Sequence, residues 1–120
     1  MTSKLTAHQY YVRGKQRNRT EEYQGALDDF NQAIKLNPKH VLAYYSRGKA
    51  RYEMGDKQGA IDDYTQSIEL DSNYAKAYYN RATVQYQKGD YQGAIEDYTQ
   101  AIKLNPMYKS KYYKMSRLLP

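Results

Sequence analysis

Three segments of this chain are near copies of one another: GALDDFNQAIKLNP from Gly25, GAIDDYTQSIELDS from Gly59 and GAIEDYTQAIKLNP from Gly93. They lie two steps of 34 residues apart, with no insertion or deletion between them. No other feature restricts the fold so tightly. A fixed period of this size belongs to stacked-repeat architectures, in which one unit cannot bury its apolar face alone and neighbouring units cover each other. The core is then a long layer, and residues 1–120 are expected to form a single domain.

The pattern inside each copy is helical. Apolar residues recur at helical spacing, and glycine, asparagine and proline punctuate them. Helices are expected over 7–20, 23–36, 41–54, 57–70, 75–88, 91–104 and 109–118. Gly55-Asp56 and Gly89-Asp90 separate the members of the second and third pairs, because glycine ends one helix and aspartate caps the next. Asn37-Pro38 stops the second helix, since the residue before a proline is pushed out of the helical region. Gly25, Gly59 and Gly93 fall early in the second helices against their propensity, and no local rule accounts for them.

Units can be numbered from Ala7, Val41 and Ala75. Place 8 is then small (Gly14, Gly48, Ala82) and place 20 is alanine (Ala26, Ala60, Ala94). Place 4 is tyrosine (Tyr10, Tyr44, Tyr78, and Tyr112 in a partial fourth unit), and place 24 is aromatic (Phe30, Tyr64, Tyr98). Small residues let two antiparallel helices approach, and large ones fill the space beside them. With Ala33, Ser67 and Ala101 at place 27 and Pro38 and Pro106 at place 32, this pattern resembles the tetratricopeptide repeat. The stretches Tyr78-Tyr79-Asn80-Arg81-Ala82 and Gly89-Asp90-Tyr91 are similar to repeats common in bacterial, particularly cyanobacterial, proteins.

The resemblance implies an all-α, right-handed α-solenoid of antiparallel helix pairs. Its units would be 7–40, 41–74 and 75–108, with 109–120 as a capping or partial repeat helix. Departures from the family pattern are Tyr for Trp at place 4, Ser72 for proline, Glu21-Glu22 for Gly-Asp, and Arg13, Arg47 and Arg81 for leucine at place 7.

Those arginines need partners, because place 7 lies beside core places on the first helix. An acid recurs at place 23, so the pairs Arg13–Asp29, Arg47–Asp63 and Arg81–Asp97 are expected, partly buried between the two helices. A role repeated in every unit is structural. The doubled acids Asp28-Asp29, Asp62-Asp63 and Glu96-Asp97 do not converge on one ion, since adjacent helical residues diverge by about 100°. His8 and His40 form no cluster with metal-ligand spacing, and no phosphate loop or catalytic triad stands out. No enzyme, metal or cofactor is expected.

Places 2, 5, 9 and 12 lie nearly opposite the core face of the first helices. In the family these places line a concave groove that holds peptides. Here they carry Tyr11 and Lys15, then Tyr45, Lys49 and Tyr52, then Lys76 and Tyr79, then Tyr113, with Asn80 beside them. The resemblance thus implies a non-catalytic scaffold or adaptor that binds a partner segment in a Tyr/Lys-lined groove. The bland counterpart is that the place-5 tyrosines pack on neighbouring helices, and tyrosine can do both.

Nineteen Lys and Arg against 13 Asp and Glu give +6, which favours an acidic protein or peptide partner. Equally, the basic ends can simply keep a repeat stack soluble. Nucleic acid is disfavoured by the acids recurring on the second helices, although 16 tyrosines and the positive charge suit it. One branch of the family clamps a free C-terminal carboxylate. The matching positions here are Tyr11, Lys15, Ser46, Lys76 and Asn80, and only Lys76 fits.

No apolar run is long enough to span a bilayer, and Met1-Thr2-Ser3-Lys4-Leu5-Thr6 lacks the apolar stretch of a secretory signal. The absence of cysteine excludes disulfides and suits a reducing compartment. A cytoplasmic monomer or weak homodimer is expected, the dimer forming through the terminal helix that ends Arg117-Leu118-Leu119-Pro120.

Overall fold

A computed structural model describes the backbone of residues 4–116 and the side chains of 4–113. Helices α1 (Ala7–Arg19) and α2 (Tyr23–Leu36) form the first antiparallel pair, and α3 (Val41–Glu53) and α4 (Lys57–Leu70) the second. The third is α5 (Ala75–Gln87) with α6 (Tyr91–Leu104), followed by a 3-10 turn (Pro106–Tyr108) and α7 (Lys109–Ser116). The described residues contain no strand. Each second helix also packs on the first helix of the next pair, which draws the chain out to 58 × 26 × 20 Å. Residues 117–120, and with them the Arg117–Pro120 end invoked for dimerisation, lie outside the described residues.

Local chemistry sets the ends of the helices. Thr6 and Gln9 form a capping box on α1, Asp56 Oδ1 accepts from the Gly59 amide at 2.9 Å, and Asp90 Oδ1 accepts from Gly93 at 3.0 Å. A Cβ at Gly59 or Gly93 would strike the capping carboxylate of Asp56 or Asp90. Glycine there keeps room for the cap, which offsets its poor helix propensity. In the first pair Glu22 makes no side-chain cap, and a Cβ at Gly25 would instead meet Arg17 Cδ at 3.2 Å.

First helices end one residue earlier than the spacing predicts. Glu21, Gly55 and Gly89 have φ of 63°, 85° and 89°, so the left-handed turn already begins there. Gly55 and Gly89 adopt this freely; Glu21 does so against the Cβ penalty of about 1–2 kcal/mol. Second helices end at Asn37, Asp71 and Asn105, whose side-chain oxygens accept from Lys39, Asn73 and Met107 amides at 3.1, 3.0 and 3.1 Å. This turn forms equally before Pro38 and before Ser72, so the missing proline changes nothing.

Alanines and rings interleave along the core. Ala26, Ala60 and Ala94 are buried, as are Phe30, Tyr64 and Tyr98. The rings lie over place 8: a Cβ added at Gly14 would come within 2.6 Å of Phe30 Cε1, and one at Gly48 within 2.8 Å of Tyr64 Cε1. Small residues here set how closely the paired helices approach.

Beside this seam runs a ladder of charge. Arg13 Nε and Nη2 donate to Asp29 at 3.0 and 2.8 Å, Arg47 to Asp63 at 3.0 and 2.7 Å, and Arg81 to Asp97 at 2.6 and 2.8 Å. A second donor completes each carboxylate: Arg17 Nη1 at 3.0 Å, Arg51 Nη1 at 2.9 Å, and the Gln85 amide at 2.9 Å, which also donates to the Gly93 carbonyl. The hydrogen bond to Asp97 is the largest influence raising the Arg81 pKa above its ordinary value.

The ladder also ties one pair to the next. Arg47 Nη1 donates to Asn31 Oδ1 at 2.9 Å and Arg81 Nη1 to Thr65 Oγ1 at 3.1 Å. The Tyr44 and Tyr78 hydroxyls donate to the Pro38 and Ser72 carbonyls at 3.1 and 3.2 Å, while their rings lie under Arg47 and Arg81. Arg13 has no helix behind it among the described residues. Its side chain is 44% exposed, against 17% for Arg47.

Arg47→Met should therefore lower the unfolding free energy by about 3 kcal/mol, because it leaves the buried Asp63 short of two donors. Arg13→Met strips two donors from the equally buried Asp29 and should also destabilise, by about 1–3 kcal/mol, the lower figure reflecting that Arg13 is more exposed and ties to no preceding pair. Urea titrations of the two variants compare them directly, and an Arg13→Met variant as stable as the parent would contradict the burial of Asp29.

Candidate binding groove

Tyrosine at place 5 occupies the same niche three times. Tyr11 stands between Phe30 and His40 at ring separations of 6.3 and 4.9 Å, Tyr45 between Tyr64 and Tyr74 at 5.8 and 5.0 Å, and Tyr79 between Tyr98 and Tyr108 at 5.5 and 4.8 Å. The third ring of each set, at place 34, is not among the candidates read from the sequence. It recurs with the same 34-residue period, so its signal was present. His40 does further work there, since its Nδ1 accepts from the Ala43 amide at 3.2 Å and caps α3. Burial lowers the His40 pKa, in keeping with that acceptor role.

The four place-5 tyrosines are not equally presented. Tyr11 is buried at 7% exposure, and its ring is packing. Tyr45 and Tyr79 are half-buried, each showing part of a ring, and Tyr113 on α7 is 54% exposed. Asn80 Nδ2 donates to the Tyr45 hydroxyl at 2.9 Å, and Gln87 Nε2 donates to that of Tyr52 at 2.7 Å. Desolvation pushes the Tyr45 and Tyr98 phenols up to about 12, and raises those of Tyr64, Tyr74, Tyr79 and Tyr108 as well.

Lysines stand over these rings. Lys15 Nζ lies 5.1 Å from the Tyr11 centroid, Lys49 Nζ 5.6 Å from Tyr45, and Lys111 Nζ 5.5 Å from Tyr79 and 5.6 Å from Tyr108. Such contacts attract the ammonium at about 0.5–1 kcal/mol while leaving its outer donors free. Lys49 and Lys76 are exposed and Lys15 is half-buried.

Between the first helices of the three pairs lies a cavity of about 440 Å³. The buried Tyr64 and Val84 line it together with Lys49, Tyr52, Asn80 and Thr83. Asn18, Glu21, Tyr23 and Glu53 complete the lining. Glu21 was visible in the sequence only as a departure from the glycine of the other units.

Among the described residues, no three His, Cys, Asp or Glu side chains are grouped to hold a metal ion. No helix in them is long and apolar enough to cross a membrane. The positions matching the carboxylate clamp do not assemble one: Tyr11 and Ser46 are buried, and the Asn80 amide is bound to Tyr45.

A chain of stacked helix pairs with one open, ring-lined face is an interaction module of the helical-repeat class. Family models described as tetratricopeptide repeat and TPR repeat match residues 75–108, and 14–55 and 48–89, respectively. The chain belongs to the tetratricopeptide-repeat family.

No curated protein matches it significantly. Among solved structures it is similar to MamA, at 29% identity and a TM-score of 0.82, over 89% of this chain and 62% of that one, so it spans about three fifths of that protein's chain. The second TPR of Spaghetti, bound to the HSP90 peptide SRMEEVD, is 25% identical with a TM-score of 0.81, over 83% of this chain and 93% of that one. The Arabidopsis OM64 TPR domain shares the fold, with a TM-score of 0.89 at 24% identity, over 95% and 97% of the two chains.

The raised phenol pKa values carry a consequence for alkaline stability. An unfolded chain releases its tyrosine protons near pH 10, whereas Tyr45 and Tyr98 hold theirs to about 12. The folded state therefore binds more protons in that window, and the stabilisation present below pH 10 is lost as pH rises toward 12. Phenolate absorbance and helical circular dichroism, followed together, should show these rings ionising as the helices melt. Complete tyrosine ionisation near pH 10 with the helices intact would contradict their burial.

Proposed function

We propose that this chain is a non-catalytic adaptor that holds an acidic segment of a partner protein across its concave face. The observation that carries this reading is the repeated unit of a half-buried tyrosine with a lysine above it, on the face that the helix stack leaves open. Tyr45, Tyr52, Tyr79 and Tyr113 offer ring surface there. Lys15, Lys49 and Lys76 offer positive charge, and Asn80 holds the Tyr45 hydroxyl in place. Tyr11 supports the face from below as a packed ring. Rings of limited freedom with adjacent cations suit a peptide whose apolar side chains meet tyrosine and whose carboxylates meet lysine.

The HSP90 peptide on the second Spaghetti domain belongs to that protein. For this chain it supports a peptide as occupant and not the same mode of capture, because Ser46 and Tyr11 cannot supply clamp donors. Recognition would fall on internal acidic side chains in place of a terminal carboxylate.

Fluorescence anisotropy with labelled peptides composed of Asp, Glu and Leu tests this directly. Lys49→Glu should weaken binding by about tenfold, and added salt should weaken the wild type. The lysine is exposed, so its melting temperature should stay near that of the parent. Peptides that bind equally well to Lys49→Glu and to Tyr79→Ala would exclude the groove.

A further inference from the structure

His40 stands at the joint between the first two helix pairs and differs there from the tyrosines at the same place in the later units. Its ring lies 4.9 Å from that of Tyr11 on α1. Its Nδ1 accepts from the Ala43 amide at 3.2 Å, a hydrogen that the His40 carbonyl shares at 3.1 Å, and so caps α3. At the next joint Tyr74 braces Tyr45 in the same way but makes no side-chain cap on α5. Tyr108 stacks on Tyr79 at 4.8 Å. A phenol gains no charge in acid. An imidazole does, so the first joint is chemically unlike the other two.

Most of what faces the His40 ring opposes its protonation. Nδ1 can accept from Ala43 only while it carries no proton, and a protonated ring sets one N–H against another. A positive charge at the start of α3 meets the positive end of the helix dipole, and the first turn of α3 holds no acid to offset it. From α1 come Tyr11 and His8, the latter within electrostatic reach, with Lys15 Nζ 5.1 Å from the Tyr11 ring centroid. Lys39 precedes it in the connection. Phe30 of α2, against Tyr11, does not titrate. The Tyr45 and Tyr74 phenols, within reach of Tyr11, stay protonated far above neutrality. A contact with its own backbone favours the charged form of His40, but desolvation outweighs it and lowers the pKa.

We infer that His40 is an acid-sensitive latch on the first helix pair: protonation of its imidazole withdraws the cap from α3 and loosens the Tyr11 ring that it braces. Other ties across this joint do not respond. Arg47 Nη1 on Asn31 Oδ1 at 2.9 Å and the Tyr44 hydroxyl on the Pro38 carbonyl at 3.1 Å keep their protonation states through mild acid. The first pair stays tethered while the ring contact gives way, and Tyr11, 7% exposed with the latch closed, gains freedom. The folded state disfavours this proton relative to the unfolded chain, whose histidines titrate near about pH 6.5. The stabilisation is complete above that value and is lost as pH falls through the lower folded pKa. The inference does not depend on the groove reading.

Urea titrations of the full chain at about pH 7.5 and about pH 5 test this on wild type, His40→Tyr, His40→Gln and His8→Gln. On acidification the unfolding constant of wild type should rise about fivefold more than that of either His40 variant. His8→Gln should keep most of that excess. Amide hydrogen exchange locates the change: protection of Ala43 should fall about fivefold more than that of Ala77, the equivalent residue of α5. The exchange comparison needs no variant, so a substitution that fails to fold leaves the test intact. Equal pH dependence in wild type and the His40 variants would show a ring that only packs, and would overturn the latch. An excess that follows His8 instead, or Ala43 and Ala77 losing protection together, would overturn it as well.

Discussion

A buried aspartate on each second helix is the point on which this architecture turns. Asp29, Asp63 and Asp97 are almost fully buried, and a carboxylate in that position is tolerable only when donors surround it. The first helix of the same pair supplies them through a bidentate arginine and a second group one turn further on, which holds the two helices at one height. Because Arg47 and Arg81 also reach Asn31 and Thr65 of the pair before, the same side chain sets the stacking of successive pairs. Apolar seams alone would permit some sliding. A fork of hydrogen bonds has one register.

The ring-lined face follows from that register. Once the pairs are stacked in fixed order, Tyr11, Tyr45 and Tyr79 take equivalent places on successive first helices, each braced by rings from places 24 and 34. Bracing has two effects. It removes one tyrosine, Tyr11, from the surface, and it restrains the half-buried rings of Tyr45 and Tyr79. Small residues at Gly14, Gly48 and Ala82 are the other half of this, since they allow the supporting rings to lie close to the first helices.

Much of this was legible in the chain itself. The 34-residue period announced the pairs, and arginine and aspartate recurring at matched places announced the ladder with its partners. Glycine at the third position of the second helices was not legible, because its reason is the path of a capping carboxylate through space. Nor was the second donor to each aspartate, for Arg17, Arg51 and Gln85 differ in kind and gain a common role only through position. Tyr11 looked equivalent to Tyr45 and Tyr79 in spacing. His40 in place of tyrosine at the adjoining place, and the absence of a preceding pair in the described chain, make its setting different.

What the sequence determined by itself was the repeat, the helical pairing, and which residue types face inward, all consequences of periodicity and of the size of side chains at fixed places. Only the tertiary structure decided which groups end up unsatisfied or exposed. Asn18 and Glu21 are neighbours along the chain, but Glu53 comes from the next helix pair, so no local pattern places it beside the same cavity. Their proximity is set by how far one pair rotates on the next, and that rotation is the sum of many contacts, legible only when all of them are in place.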